Sequence, residues 1–200
     1  MIDLTPPNSN NAWIKIARDG ISGFGNFDGL DGQHLFTIRL DGTGFFDLSP
    51  PSSIVSNNWI WHGNTVGISG VTTDSSRVWG SFIGKNDQPH AFTIKTNGTG
   101  FLDLTPQGSM SSEIGGLTAD GTKAWGRFVD QYGLSHPFTT NLDGTDFFVL
   151  TYLTNIAGIT PDGTKIWGYY AKNDGVYHAF IGNINGDNLL DLNPTNATQS

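Results

Sequence analysis

The stretch from Thr160 to Leu192 reads TPDGTKIWGYYAKNDGVYHAFIGNINGDNLLDL and carries the signals that recur along the chain. A Pro-Asp-Gly turn comes first, followed by an aromatic-Gly pair, a His-x-Phe triplet, an Asn-Gly turn and a closing Asp-Leu. Asn-Gly and Asp-Gly supply the positive φ angles that tight reversals require. Short segments parted by such turns at intervals of about 8–12 residues are typical of antiparallel strands. We therefore predict a unit of four antiparallel strands, A to D.

The same succession of signals occurs four times in the 200 residues. The triplets are His34–Phe36, His90–Phe92, His136–Phe138 and His178–Phe180. The aromatic residues that precede a glycine in strand B are Phe24, Trp79, Trp125 and Trp167. Five closing segments, not four, align through Leu4, Leu48, Leu104, Leu150 and Leu192. The additional one is MIDLTPP, so we expect residues 1–7 to form an extra N-terminal outer strand.

A sheet of four short strands cannot bury both of its faces alone, so neighbouring units have to stack. The usual solution for repeats of this kind is a β-propeller. We predict an all-β fold, a single propeller domain of four blades with four antiparallel strands each. Its repeats span about 8–50, 51–106, 107–152 and 153–194, followed by a tail at 195–200. We expect the ring to close within the chain; the alternative is a larger ring completed by homo-oligomerisation through the extra strand, because a bare strand edge invites pairing.

The stretch from Thr160 to Leu192 resembles the Pro-Asp-Gly repeats of periplasmic Tol-type and prolyl-oligopeptidase-type propellers. The HAF triplets at His90 and His178 also resemble the bacterial extracellular repeat family named for His-Ala-Phe, whereas the other two triplets read HLF and HPF. The resemblance implies a propeller and an extracellular or periplasmic location. It implies no particular activity, because such repeats serve as scaffolds in proteins with unrelated functions.

Composition excludes several classes of protein. Ten Lys and Arg against 18 Asp and Glu give a net charge of −8, and no basic cluster occurs, so a nucleic-acid partner is not expected. Cysteine is absent, which rules out disulfides and thiolate chemistry. No apolar run approaches the roughly 20 residues of a membrane-spanning helix, and the Met1 end lacks the pattern of a signal peptide.

The recurrent histidines and strand B aromatic residues are interpreted as scaffold. His90 shares a strand face with Phe92 and Ile94, the face that we expect to lie between blades. The rotation of a propeller would hold the four imidazoles apart, so we predict a core histidine hydrogen-bonded to a neighbouring blade and no metal site. We interpret Phe24, Trp79, Trp125 and Trp167 as inter-blade packing. Gly70, Gly116 and Gly158 are expected on the innermost strand, where strands converge.

One loop could hold a cation. Clustered oxygen atoms from Asn183 to Asp187 suit calcium, but the loop has no distal bidentate carboxylate and turn chemistry alone explains its residues. We therefore predict no cofactor, with calcium at this loop as the alternative.

The repeat is broken between Leu48 and Leu104, whose separation of 56 residues exceeds the other spacings by at least ten. The surplus, Pro50 to Thr65, is a loop between strands D and A, and loops on a rigid scaffold are where binding residues concentrate. D–A loops and B–C turns share one face of a propeller. The ligand-binding residues predicted for that face are Trp59, Trp61, His62, Tyr132, Tyr152 and Trp13. Alternatively, Trp59 and Trp61 plug the central channel.

Three functions remain open. The first is a non-catalytic binding module that recognises a glycan or a protein partner through these loops. The second is a polysaccharide-acting hydrolase or lyase that uses a carboxylate pair, for which Glu113, the only glutamate, with Asp130 and His62 are the candidate catalytic residues. The third is a structural component of a cell-surface or virion assembly.

Overall fold

The computed structural model describes residues 3–6, 9, 11–29, 32–50, 67–172 and 175–193. These residues form 16 strands in four antiparallel sheets of four strands each, and no helix occurs among them. We call the sheets blades one to four in chain order. The described part of the chain accordingly offers no helix with the length and hydropathy that a membrane crossing needs.

In each blade the strands follow one another in the order of the chain. Blade one contains β1 (Ala12–Ile16), β2 (Ser22–Gly29), β3 (Gly32–Arg39) and β4 (Phe46–Asp47). Blade two contains β5 (Gly67–Val71), β6 (Arg77–Ile83), β7 (Pro89–Lys95) and β8 (Leu102–Asp103). Blade three contains β9 (Ser111–Leu117), β10 (Lys123–Val129), β11 (Ser135–Asn141) and β12 (Phe148–Val149). Blade four contains β13 (Asn155–Ile159), β14 (Lys165–Ala171), β15 (Tyr177–Asn183) and β16 (Leu190–Asp191).

The predicted turns form, with the hydrogen bonds and backbone angles that their residues favour. In the A–B turn of blade one, the N–H groups of Ile21 and Ser22 both donate to Asp19 Oδ1 at 2.9 Å, and these bonds lower the pKa of Asp19 to about 2. The C–D turns use an Asp or Asn in the same way, as where Thr43 donates to Asp41 Oδ1 at 2.9 Å. The glycines that follow have the predicted positive φ angles, namely Gly42, Gly98, Gly144 and Gly186.

Glycines on strands A and B let the two strands approach closely. A Cβ on Gly25, Gly80 or Gly168 of strand B would collide with the backbone of strand A. On strand A, a Cβ on Gly158 would lie 2.8 Å from the Trp167 indole. The strand A glycines are therefore required by the tryptophan of their own blade, and not only by the convergence of strands that the sequence suggested.

The chain divides into two compact units. Unit one comprises residues 1–107 and 111–113, and unit two comprises residues 108–110 and 114–200. Unit one therefore contains blades one and two, and unit two contains blade four and most of blade three.

In unit one, the core lies between two blades. Phe24 and Leu48 of blade one pack with Phe82 and Phe92 of blade two, and all four side chains are buried. The Thr37 hydroxyl also donates to the carbonyl oxygen of Thr96 across the same boundary at 2.7 Å. The predicted inter-blade role of Phe24 is confirmed.

Unit two repeats this arrangement. Leu150 and Leu153, which follow the last strand of blade three, pack with Ile166 and Phe180 of blade four, and Trp125 lies against the same cluster. The Thr139 hydroxyl of blade three donates to the carbonyl oxygen of Ile184 in blade four at 2.8 Å. Each closing leucine in these two clusters therefore packs against the blade that follows it.

The expected extra outer strand is not formed over residues 3–6, the part of it that the structure describes. The N–H of Thr5 donates to Asp3 Oδ1 at 2.9 Å, and Pro6 has no N–H to donate. These backbone groups are used in a local turn and cannot continue a ladder. Leu4 nevertheless packs against the cluster formed by Phe27, Phe36 and Ile38, the place that a preceding closing leucine would take on blade one.

Candidate functional site

The structure places only part of the predicted loop site. Trp59, Trp61 and His62 lie outside the described residues. Tyr132 is 79% exposed at the tip of the B–C turn of blade three. The Tyr152 hydroxyl donates to the carbonyl oxygen of Gly186 at 2.6 Å, so this ring is anchored to the C–D turn of blade four.

Burial raises the pKa of Tyr152, and the negative charge of Asp187 raises it further. Trp13 belongs to unit one, where it lies half-exposed on β1 opposite Asn26. The described members of the predicted loop site are thus an anchored tyrosine and an exposed one in unit two, and a tryptophan in unit one.

Asp130, predicted as one member of a catalytic carboxylate pair, is hydrogen-bonded within its own turn. Its Oδ2 lies 2.8 Å from His136 Nε2, and its Oδ1 accepts the N–H groups of Tyr132 and Leu134 at 2.9 Å. The bond from His136 is the main reason that the pKa of Asp130 lies below its ordinary value. These bonds hold the turn in place, and the lowered pKa makes Asp130 unsuited to be the general acid of the pair without bearing on the role of nucleophile or base. Glu113 is exposed on β9.

The recurrent histidines are bonded within their own blades, and our prediction of a partner in a neighbouring blade was wrong. Nδ1 of His90 lies 2.9 Å from Asp103 Oδ2 on the adjacent strand D. The same pair is formed by His34 with Asp47 at 2.9 Å and by His178 with Asp191 at 2.7 Å. The partner is local because strand D pairs with strand C, which brings its aspartate beside the ring.

Blade three has Val149 where the other blades have this aspartate. His136 instead bonds Asp130 through its other ring nitrogen, Nε2. Each of the four histidines thus has a carboxylate partner in its own blade. No group of three or more metal-binding side chains occurs among the described residues.

The loop considered for calcium forms a compact turn. The N–H of Asp187 donates to Asn185 Oδ1 at 3.1 Å, and the Asn185 amide donates to Asp187 Oδ2 at 2.8 Å. Lys165 Nζ lies 3.4 Å from Asn183 Oδ1, so a positive charge already faces the loop. The absence of a cofactor stays a prediction, with calcium at this loop as the alternative.

A cavity of about 180 Å³ lies between blades one and two of unit one. Its walls combine apolar side chains such as Phe24 and Ile38 with the hydroxyl-bearing Thr37 and Ser75 and with Arg39. Among the residues predicted for binding or catalysis that the structure describes, none lines it.

Blade four differs from the other blades in the large apolar side chains that it exposes. Five large apolar side chains are exposed there, which we name the blade-four surface: Trp167, Tyr169, Tyr177, Leu190 and Leu192. Alternation along β14 places Trp167 and Tyr169 on one face, and the Cα pairing of Trp167 with Ile181 and of Ile181 with Leu190 extends that face across the sheet.

The leucines equivalent to Leu192 are buried in the other three blades, and so is Phe24, the blade-one equivalent of Trp167. Leu192 is 52% exposed, whereas Leu48, Leu104 and Leu150 are 0%, 5% and 1% exposed. Trp167 is 48% exposed, whereas Phe24 is 7% exposed. Packing between blades, predicted for all four strand B aromatic residues, stays a prediction for Trp167.

Two tyrosines of this surface occur only in blade four. Tyr169 stands where the other blades have Asn26, Ser81 and Arg127, and Tyr177 stands where they have Gln33, Pro89 and Ser135. The two rings meet edge to face, with centroids 5.4 Å apart. These departures from the repeat are visible in the sequence, and our sequence analysis did not single them out.

Comparisons with known proteins support the fold and leave the function open. No family model matches the chain, and no curated protein matches it. Among solved structures, a putative TolB from Agrobacterium tumefaciens is similar with a TM-score of 0.52 and 14% identity, over 92% of this chain and 62% of that one. An oligogalacturonate lyase is similar with a TM-score of 0.55 and 13% identity, over 94% of this chain and 55% of that one.

A prolyl endopeptidase is also similar, with a TM-score of 0.56 and 12% identity, over 92% of this chain and 29% of that one. TolB and the lyase are β-propellers. The predicted all-β propeller of four blades with four antiparallel strands is thereby confirmed. The chain spans less than two thirds of the length of these solved structures.

Proposed function

We propose that this protein is a non-catalytic binding module that takes its ligand on the blade-four surface. The observation that carries the proposal is the exposure of five large apolar side chains at one face of one blade. Exposed apolar patches on soluble proteins commonly mark interaction sites, because water-exposed apolar area has a free-energy cost that a partner removes.

The blade-four surface is better suited to bind a protein than to bind a glycan. Leu190 and Leu192 are aliphatic and largely exposed, and the face corresponds to the one that blades one and three bury against protein. Aromatic side chains such as Trp and Tyr are also enriched in protein interfaces.

The alternative is a binding module that recognises a glycan instead of a protein. It rests on the Tyr169 and Tyr177 rings and on the loop residues predicted from the sequence, whose indole and phenol rings could stack on sugar faces. An enzyme, either a hydrolase or a lyase, is the competing functional class. It stays open because an oligogalacturonate lyase and a prolyl endopeptidase are among the similar structures.

The proposal is tested by comparing the wild type with a Trp167→Ser/Tyr169→Ser variant. Both are immobilised and exposed to a glycan array and to extracellular and periplasmic protein extracts, the compartments that the sequence resemblance implies. We expect a protein ligand whose affinity falls about tenfold or more in the variant, because truncating central aromatic residues of an interface commonly costs over 1.4 kcal/mol.

The control variant is Leu134→Ser, which removes an exposed apolar side chain from the B–C turn of blade three. Its ligand binding should equal that of the wild type. Equal binding by the wild type and the double variant would contradict the proposal, and binding of glycans alone would replace the protein ligand by the glycan alternative.

A further inference from the structure

The cavity between blades one and two lies where blade one departs from the repeat at two positions. In the other blades, a threonine follows strand A and an arginine or lysine begins strand B. These pairs are Thr72 with Arg77, Thr118 with Lys123, and Thr160 with Lys165. Blade one has the smaller Ala17 and Ser22 at the same positions, and both of them line the cavity.

Unit two shows what the larger pair does. A Cβ on Gly163, in the A–B turn of blade four, would lie 3.3 Å from Thr118 Cγ2 and 3.4 Å from Lys123 Cδ of blade three. The larger pair therefore packs against the turn of the following blade. In unit one the corresponding turn residue is Ser75, and a cavity of about 180 Å³ lies between it and the smaller pair.

Ser75 is itself unusual in conformation and in bonding. Its φ of 57° lies in the left-handed region that favours glycine, and the other blades have glycine there, namely Gly20, Gly121 and Gly163. Its Oγ is buried and has no hydrogen-bond partner among the described residues, although it is near enough to Asp19 to be a minor cause of the lowered pKa of that residue. Both features cost free energy, and such costs cluster at binding sites.

The walls of the cavity combine an apolar end with a charged one. Ala17 and Phe24 are buried, whereas Arg39 and Phe46 are exposed, so the cavity runs from a solvent-facing mouth to an apolar interior. Arg39 Nε lies 3.5 Å from Asp41 Oδ2, and a guanidinium group has five N–H donors, so donors remain for a second acceptor. An apolar cavity of about 150 Å³ holds a benzene molecule, so one six-membered ring fits this volume.

We propose that this cavity binds a small organic carboxylate whose apolar body is about the size of one six-membered ring. The carboxylate lies at the mouth against the Arg39 guanidinium, because paired N–H bonds from arginine to a carboxylate are strong and directional. The apolar body packs between Phe24 and Val71. Rotation about the Cα–Cβ bond turns the Ser75 hydroxyl toward the ligand. This site lies within unit one and goes beyond the proposed function, which uses the blade-four surface.

The test titrates isotope-labelled protein with benzoate and with benzamide, a neutral molecule of the same shape, and follows the amide signals by NMR at neutral pH. Benzoate should saturate one site and shift the signals of residues around Ser75 and Arg39. It should bind at least about tenfold more tightly than benzamide, as expected when a charge-assisted bond replaces a neutral one.

Two variants change the charge at the mouth in opposite directions. Arg39→Met should weaken benzoate binding at least about tenfold and leave benzamide binding nearly unchanged. Asp41→Asn removes the competing carboxylate and should tighten benzoate binding, and asparagine suits this turn because blade two has Asn97 there. The matched control is Lys95→Met, since Lys95 is the blade-two equivalent of Arg39 and does not line the cavity. It should bind benzoate like the wild type.

Two further variants act on the cavity itself. Ala17→Thr/Ser22→Met restores side chains of the size found in blade three, without adding a charge, and should abolish the binding of both probes. Ser75→Gly should weaken benzoate binding and raise the midpoint of thermal unfolding, because it removes the buried hydroxyl and the strained backbone angle. Circular dichroism confirms that each variant is folded, and Arg39→Met and Ser75→Gly carry the test if the filled variant is not.

Three results would overturn the proposal. They are no saturable binding of benzoate at millimolar concentrations, equal affinities for benzoate and benzamide, and benzoate binding that Arg39→Met and Ser75→Gly both retain unchanged. The Trp167→Ser/Tyr169→Ser variant should bind benzoate like the wild type. Failure of this site therefore leaves the proposed function standing, and failure of the blade-four surface leaves this site standing.

Discussion

At the scale of single residues, the pairing of histidine with aspartate is the interaction that recurs most regularly. Burial alone would raise the pKa of Asp103, but the bonds from His90 and from the Thr105 N–H outweigh it and hold this pKa below its ordinary value. The carboxylate is therefore more acidic in the folded chain than in the unfolded one, where its pKa is about 3.9. Its contribution to stability is complete above that pH and is lost as the pH falls through the lower folded-state value.

Replacing Asp103 by Asn tests this linkage. The variant should lose about 1 kcal/mol of unfolding free energy at pH 7, because neutral hydrogen bonds replace charge-assisted ones. The difference from the wild type should shrink as the pH is lowered below about 4. Urea denaturation at several pH values measures it, and a difference independent of pH would show that the charge of Asp103 has no part in stability.

Blade three allows a rescue experiment at the same scale. Asp130→Ala removes the partner of His136 and should lower the midpoint of thermal unfolding. Adding Val149→Asp places a carboxylate at the position of Asp103 in blade two, since Val149 pairs with Phe138 as Asp103 pairs with Phe92. The double variant should recover at least half of the loss. Further destabilisation by the second change would mean that His136 cannot use the repeat position.

At the scale of single elements, strands A and B approach each other closely at a strand B glycine in blades one, two and four. In Gly25→Ala the new Cβ would collide with the carbonyl of Trp13, so β1 and β2 have to separate. We expect a loss of about 1–3 kcal/mol in unfolding free energy, as is usual for overpacked sites.

The control is the neighbouring Asn26→Ala, which alters the opposite face of β2 without adding a Cβ and should cost much less. Urea denaturation of the two variants gives the comparison. Equal losses would show that the close approach of β1 and β2 does not limit stability.

Strands and turns were predictable from the sequence because their signals are local. Asp-Gly and Asn-Gly require particular backbone angles, and each stretch between them is short enough to be one strand. The histidine partner was also present in the spacing, because His34, His90 and His178 each precede an aspartate by 13 residues. We missed it by arguing from faces between blades instead of from the pairing of strands C and D.

The exposure of blade four could not be read from the repeat. Leu192 looks like Leu48 and Leu150 in sequence, and what distinguishes it is its exposed fraction of 52%. That property depends on the neighbours of a blade and not on its own residues. Tyr169 and Tyr177 were the available signal, since they break the repeat on the same face.

At the scale of the whole molecule, the blades pack on each other within each unit, and we propose that the blade-four surface binds a partner. The chain contains no cysteine, so a single introduced thiol reports the accessibility of one position without background. Leu192→Cys and Leu150→Cys place that thiol at equivalent points of blades four and three.

The most direct test is the rate at which each thiol reacts with a soluble maleimide at submicromolar protein concentration. Leu192→Cys should react at least about a hundredfold faster than Leu150→Cys, which becomes accessible only when the core opens. Equal, slow labelling of both positions at this concentration would contradict the account, because blade four would then be covered within a single chain.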